Sequence, residues 1–338
     1  MFRMIRSNLL DITGVAAISA VLLLLSFISS FSGTFQLPSS ILNLNTIFLS
    51  ILIEALPFVL IGVLIAGMIQ IFVTEEHIRS WLPKNKYLAV TMSCVIGALF
   101  PACECGIVPI VRRLVEKGVP VAAGIGFMLT GPLINPIVIA STYMAFGNDI
   151  KMAASRMGMG FIIALISAFC VSLLFKENQF KQSLLSSSHH HSSTMKTSFL
   201  DKLWAMLLHS IDEFFDMGKY LIAGAFLAAF VQTYMSAGTL LNIGGGIASS
   251  TLVMMGLAFV LSLCSEADAF IGASFSSIFP ATPILGFLIF GPMIDLKNTI
   301  MMGSVFRFKF VMSVLAIVIC TVFTILMLMH SIGVGGSQ

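Results

Sequence analysis

Phe100-Pro101-Ala102-Cys103-Glu104-Cys105-Gly106-Ile107 interrupts an apolar stretch that otherwise runs from Tyr87 to Val115. At roughly 1.5 Å per residue, each arm reaches about half way across a bilayer core. A break at that depth leaves backbone groups without helical partners. Such groups are tolerated only where protein buries them or where they line a cavity. Pro101 and Gly106 bracket the break and supply a helix stop and backbone freedom. Glu104 sits inside it, and an intramembrane carboxylate marks a functional site. A second break, Cys264-Ser265-Glu266-Ala267-Asp268, separates the apolar runs Ile247–Leu263 and Ala269–Ile278.

The rest of the chain fits a lipid solvent. Of 338 residues, 58% are hydrophobic and 10% charged, and mean hydropathy is +1.02. Soluble proteins carry about 25% charge, so a soluble enzyme, a nucleic-acid binder and a disordered protein are excluded. The net charge of +3 is too small to imply a nucleic-acid partner. Leu9–Phe31, preceded by Arg3 and Arg6, is too long for a signal-peptide core and reads as a transmembrane anchor. Further apolar segments are Ile47–Phe72, Pro120–Phe146, Met152–Phe175, Leu203–Tyr234, Pro283–Ile294 and Phe310–His330. Leu203–Phe215 carries Asp212 and Glu213 and is expected to lie along the interface before its span begins. Lys176–Lys202 is the one long polar stretch. Its tract His189, His190, His191 reads either as solvated loop or as metal-binding.

The two halves resemble each other. A shift of 160 positions lays Gly126-Phe127-Met128-Leu129-Thr130-Gly131-Pro132-Leu133-Ile134 on Gly286-Phe287-Leu288-Ile289-Phe290-Gly291-Pro292-Met293-Ile294. Pro120 falls on Pro280, Asn135 on Asp295, and the first polar break beside the second. A shift of 162 sets Gly62 on Gly224 and Gln70 on Gln232. With the amino terminus cytoplasmic and both breaks read as re-entrant hairpins, Arg79, Lys84, Arg112, Arg113, Lys117, the linker lysines, Lys297, Arg307 and Lys309 all fall inside. Lys151 and Arg156 fall outside. The positive-inside rule therefore favours hairpins of opposite orientation, seven full spans and inverted repeats. Eight or nine full spans is the alternative. The expected architecture is an all-α membrane protein with an anchor over 1–43, repeats over 44–176 and 203–338, and a cytoplasmic linker over 177–202.

The breaks also carry the chemistry. Proline removes an i to i−4 hydrogen bond, so Thr130-Gly131-Pro132 and Phe290-Gly291-Pro292 are expected to interrupt their helices and free carbonyls near Asn135 and Asp295. Hairpin tips and broken helices would converge near the midplane, where transporters hold substrate. The candidate substrate-binding residues are Cys103, Glu104, Cys105, Thr130, Gly131, Pro132, Asn135, Cys264, Ser265, Glu266, Asp268, Gly291, Pro292 and Asp295. Cys103, Cys105 and Cys264 are candidate ligands for a soft metal or metalloid, because thiolates select soft ions. Small packing residues are the other reading of the same cysteines. Cys94, Cys170 and Cys320 stand alone in apolar runs and read as packing. Neither a P-loop nor an H-E-x-x-H motif occurs, so no enzyme and no cofactor is expected. Energy would come from an ion gradient, the solute's own gradient or a partner.

Three blocks carry a family resemblance: Pro101-Ala102-Cys103-Glu104-Cys105-Gly106, Thr130-Gly131-Pro132-Leu133-Ile134-Asn135-Pro136 and Cys264-Ser265-Glu266-Ala267-Asp268-Ala269-Phe270. Over Ile47–Ile319 the chain resembles the bacterial predicted-permease family that includes ArsP. The resemblance implies a multi-pass permease of the bacterial inner membrane. ArsP-type members export trivalent organoarsenicals with cysteines implicated in recognition, and Cys103, Cys105 and Cys264 are the matching positions. It also implies a second permease subunit or a homo-oligomer as partner. A non-transporting subunit that anchors or regulates another protein stays open as the alternative.

Overall fold

The computed structural model describes residues 39–74, 76–78, 83, 85–100, 103–175, 179–180, 199–234 and 246–332. The anchor Leu9–Phe31, Pro101, Ala102 and His189–His191 lie outside the described residues. Apart from one isolated bridge, the regular structure described is helical. The first half contains α1 (Ser39–Phe72), α2 (Lys86–Leu99), α3 (Glu104–Glu116), α4 (Val121–Thr130), α5 (Pro136–Ala145) and α6 (Ile150–Leu174). The second contains α7 (Phe199–Tyr234), α8 (Ile247–Leu261), α9 (Ser265–Ser274), α10 (Ala281–Met293), α11 (Leu296–Val305) and α12 (Phe308–Ser331).

Five helical segments are long and apolar enough to cross a membrane: α1, α6, Lys202–Tyr234 within α7, Ala281–Val305 and α12. The last two differ in surroundings. The most apolar window of Ala281–Val305 is 83% buried within the protein, against 28% for α12. α10 therefore forms the centre of the bundle, while most of α12 is left uncovered by the rest of the protein. Both arms of the first interrupted segment, α2 and α3, rest on α4, and both arms of the second, α8 and α9, rest on α10. The halves interlock: α1 packs along α7, α6 along α12, α3 against α11 and α5 against α9.

Close packing in a membrane relies on small residues, since lipid tails are as apolar as leucine. The α1–α3 crossing shows this. A Cβ placed on Gly62 would lie 2.3 Å from the Gly106 carbonyl oxygen, and one on Gly106 would lie 2.8 Å from the Phe58 carbonyl oxygen. Gly106 is inside α3, so its use is close approach between helices rather than the backbone freedom expected of it. Gly224 brings α7 to the backbone of α11 in the same manner, 3.1 Å from the Lys297 Cα.

Four expectations are corrected. The Leu203–Phe215 stretch is not a separate interfacial element. α7 is one helix of 36 residues, about 54 Å long, and Glu213 is buried within the protein. Its carboxylate takes Arg112 Nη1 at 2.8 Å and also pairs with Arg113 Nη2, while both arginines reach Glu116. Lys297 is not a loop cation. It is buried in α11, and Arg156 is likewise buried in α6, so neither reports topology. Finally, the second Gly-Pro block does not end its helix at once. α4 stops at Thr130 as expected, but α10 continues through Pro292 to Met293. Proline is tolerated this close to a helix end when another donor serves the carbonyl it releases.

Phe180 forms an isolated antiparallel bridge with Phe306, and their rings stack at 5.6 Å. Arg307 donates through its amide to the Gln179 carbonyl and through Nε to the Phe180 carbonyl. This contact fastens the end of the first half to the α11–α12 junction.

Candidate functional site

The short helices each begin on a residue that the sequence singled out. Cys103 precedes α3, Asn135 precedes α5, Cys264 precedes α9 and Asp295 precedes α11. The first amides of a helix need acceptors. Asn135 accepts from the Ile137 amide at 2.7 Å, Asp295 from the Asn298 amide at 2.5 Å, and the Cys264 thiol from the Ala267 amide at 3.4 Å. In α5 the cap is followed by Pro136 at the first helical position, where a missing N–H does no harm.

These N-termini open on one cavity of about 370 Å³. Its lining includes Cys103, Glu104 and Cys105 from the start of α3, Asn135 and Ile137 from α5, Cys264 and Glu266 from α9, and Lys297 from α11. Ile51, Glu54, Ala55 and Phe58 of α1 close it. Six of the fourteen predicted residues thus share one cavity: Cys103, Glu104, Cys105, Asn135, Cys264 and Glu266. The Cys103, Cys105 and Cys264 thiols all belong to residues of this cavity wall, as does the Glu54 carboxylate.

Lys297 is the hub of the polar groups. Its Nζ lies 3.3 Å from Glu104 Oε1, 3.5 Å from Asp295 Oδ2 and 3.1 Å from the Ser262 carbonyl oxygen. That carbonyl is aimed by unusual backbone. Ser262 ends α8 at φ 47° and ψ 42°, a left-handed conformation that a residue with a Cβ rarely adopts. Asp268, also buried, lies within Coulombic range of Arg156, Glu104, Asp295 and Lys297, and Gly291 makes room for its carboxylate.

The remaining predicted residues lie off the cavity. The Thr130 hydroxyl donates to its own helix at the Gly126 carbonyl. Gly131 and Pro132 are buried behind it, with Ile107 filling the space next to Gly131. Ser265 contributes its carbonyl to Arg156 rather than a side chain to the cavity. Pro292 is buried in α10. Having no N–H, it leaves the Leu288 carbonyl free, and Arg156 Nε donates to that oxygen at 3.1 Å. The released carbonyl therefore serves an arginine, not a substrate.

Sequence reasoning missed Glu54, Lys297 and Arg156. Glu54 is the lone charge in the 47–72 apolar run, which is itself a signal. Lys297 follows the Gly-Pro block within a few residues, and Arg156 lies inside an apolar run; by sequence both read as loop charges. Among the described residues, no three His, Cys, Asp or Glu side chains come together closely enough to hold a metal ion. The three thiols line the cavity without forming a preassembled site.

Residues 40–331 match a family described as "Predicted permease". The chain is 53% identical over 284 residues to the UPF0718 protein YcgR of Bacillus subtilis, covering 84% of this chain and 96% of that protein. It is 43% identical over 277 residues to a Streptococcus mutans protein named as a proposed subunit of a two-component membrane permease complex, covering 82% and 91%. It is 24% identical over 153 residues to the UPF0718 protein MJ0584 of Methanocaldococcus jannaschii, covering 43% and 41%. No solved structure matches it.

Proposed function

Because this chain belongs to the ArsP_1 family of predicted permeases, we propose that it moves a small solute across the membrane through the cavity where α3, α5, α9 and α11 begin. The observation that carries this reading is the meeting of four helix N-termini, two from each half, on one cavity that holds ionisable side chains inside a multi-pass apolar bundle. Transporters build their sites from discontinuous helices in this way. Inverted repeats, with a cytoplasmic amino terminus in a bacterial inner membrane, are part of the proposal. Their support is the parallel order of elements. α1 to α6 have 34, 14, 13, 10, 10 and 25 residues, and α7 to α12 have 36, 15, 10, 13, 10 and 24.

The solute is thiophilic in this reading: a soft metal ion, a metalloid or an organoarsenical. Three thiols in one cavity wall support it, since nothing in simple packing requires them to face the same space. The test is transport by cells or vesicles, normalised to membrane expression. Cys103→Ser, Cys105→Ser and Cys264→Ser are expected to lose uptake or efflux of a thiophilic solute, whereas Cys94→Ser, Cys170→Ser and Cys320→Ser retain it. Full activity in the triple variant of the cavity cysteines sinks the thiophilic reading.

The name of the Streptococcus mutans relative favours a second reading, in which this chain is one subunit of a two-part permease and its partner completes the path. A subunit that only anchored a partner would have no use for buried carboxylates around a cavity. Reconstitution of the chain by itself separates these cases.

A further inference from the structure

The cavity wall carries more negative than positive charge. Glu54, Glu104 and Glu266 line it against one ammonium, that of Lys297. Behind the lining, Asp295 approaches the same ammonium, and Asp268 lies within Coulombic range of Arg156. Five carboxylates thus stand around two cations. By formal charge alone the carboxylates outnumber the two cations, even after the four helix N-termini add roughly half a positive charge each. Glu104 Oε2 and Asp268 Oδ2 are buried and accept no hydrogen bond among the described residues, and Asp295 Oδ2 has only its 3.5 Å ion pair with Lys297. Glu104 is only 2% exposed and faces the cavity. An anion entering here would meet uncompensated carboxylates, and a neutral solute would leave them as they are. A cation is what the wall lacks.

On the permease reading, we infer that the transported solute is a thiophilic metal cation and that Lys297 is its internal substitute. The ammonium holds Glu104 and Asp295 while the cavity is empty, and the incoming ion takes its place. The distances suit a provisional partner. At 3.3 and 3.5 Å the ammonium sits further from both carboxylates than a well-formed charged hydrogen bond of about 2.7–2.9 Å. A metal ion binds carboxylate oxygen much closer, at about 2.0–2.2 Å for zinc, and so displaces it. The thiols of Cys103 and Cys105 on one side and Cys264 on the other bias the exchange toward soft ions. The absence of a preassembled ligand set among the described residues follows from the same idea, because the lysine keeps the carboxylates engaged until the ion arrives.

Cadmium ion is a suitable probe, since its binding to thiolates is read directly as sulfur-to-metal ultraviolet absorption. With the purified full chain in lipid nanodiscs, wild type is expected to saturate with this absorption, and Cys103→Ser and Cys105→Ser to weaken it. Lys297→Met is expected to bind Cd2+ roughly tenfold tighter, because an internal competitor has gone, and Glu104→Gln to bind weaker than wild type. Unchanged or weaker affinity in Lys297→Met overturns the exchange. Should that variant fail to fold, Lys297→Gln combined with Asp295→Asn removes one charge of each sign. It is expected to bind Cd2+ tighter than Asp295→Asn does, and equal affinities overturn the exchange. Phenylarsine oxide, a neutral thiophile, that binds where Cd2+ does not overturns the cation inference and leaves the permease reading intact. Cd2+ that binds with the predicted Lys297 dependence but never crosses a proteoliposome membrane overturns the permease reading and leaves the exchange intact.

Discussion

Arg156 replaces hydrogen bonds that the backbone around it cannot make. Its Nε serves the carbonyl that Pro292 orphans, its Nη1 takes the Thr142 hydroxyl at 2.6 Å, and its Nη2 takes the Ser265 carbonyl at 3.0 Å. One side chain from α6 therefore pins the start of α9 and the end of α10. Hydrogen bonds to charged groups contribute about 1.5–3 kcal/mol each, and buried groups left unpaired cost comparably. Arg156→Leu is expected to destabilise the fold by about 3 kcal/mol or more, measured as thermal unfolding in detergent. Pro292→Ala supplies an N–H that competes for the Leu288 carbonyl. It is expected to lower transport more than expression, and so is Pro132→Ala. Wild-type transport rates in both variants would remove any role for the two prolines in transport. Cys103, Glu104 and Asp295 could be found from sequence because polar groups stand out in apolar runs. Lys297 and Arg156 stood out equally, yet a cation near a segment end looks the same whether it caps a loop or turns inward. Only packing of α3 and α9 against it tells the two apart.

Helix–helix crossings depend on what a single Cβ would meet. At Gly62 it would strike the backbone of α3, which cannot move without shifting Glu104. Gly62→Ala is therefore expected to lower both stability and transport. Gly158, exposed on α6 with open space around it, is the control. Gly158→Ala is expected to be neutral or stabilising by up to about 1 kcal/mol, from helix propensity alone. Equal melting temperatures for the two variants would contradict the close α1–α3 contact. The length and composition of the apolar runs made most helices legible, and Pro132 marked the break after Thr130. The continuity of α7 was not legible. Asp212 and Glu213 suggest an interface when read alone, and the arginines that bury Glu213 are about 100 positions away in sequence.

The whole molecule has an orientation that can be measured. The topogenic charges are those of the Arg112–Lys117 segment and of the Lys176–Lys202 stretch. Both are expected on the cytoplasmic side. Single cysteines introduced next to Lys117 and at Ser187, in a background where all six native cysteines are serine, should resist an impermeant thiol reagent added to intact cells. Modification from outside at either position would reverse the assignment.

The clasp between Phe180 and Phe306 lies within the first residues of the polar stretch that joins the halves. A covalent tether is therefore redundant with contacts already made by α1 with α7, α6 with α12, and the clasp. Cutting the chain at an engineered protease site between 181 and 198 is expected to leave two pieces that migrate as one particle and still transport. The same pieces, made from two separate genes, should find each other in the membrane. Half a molecule by itself would own only half of a cavity, and an inactive half supplied in excess should poison the intact assembly.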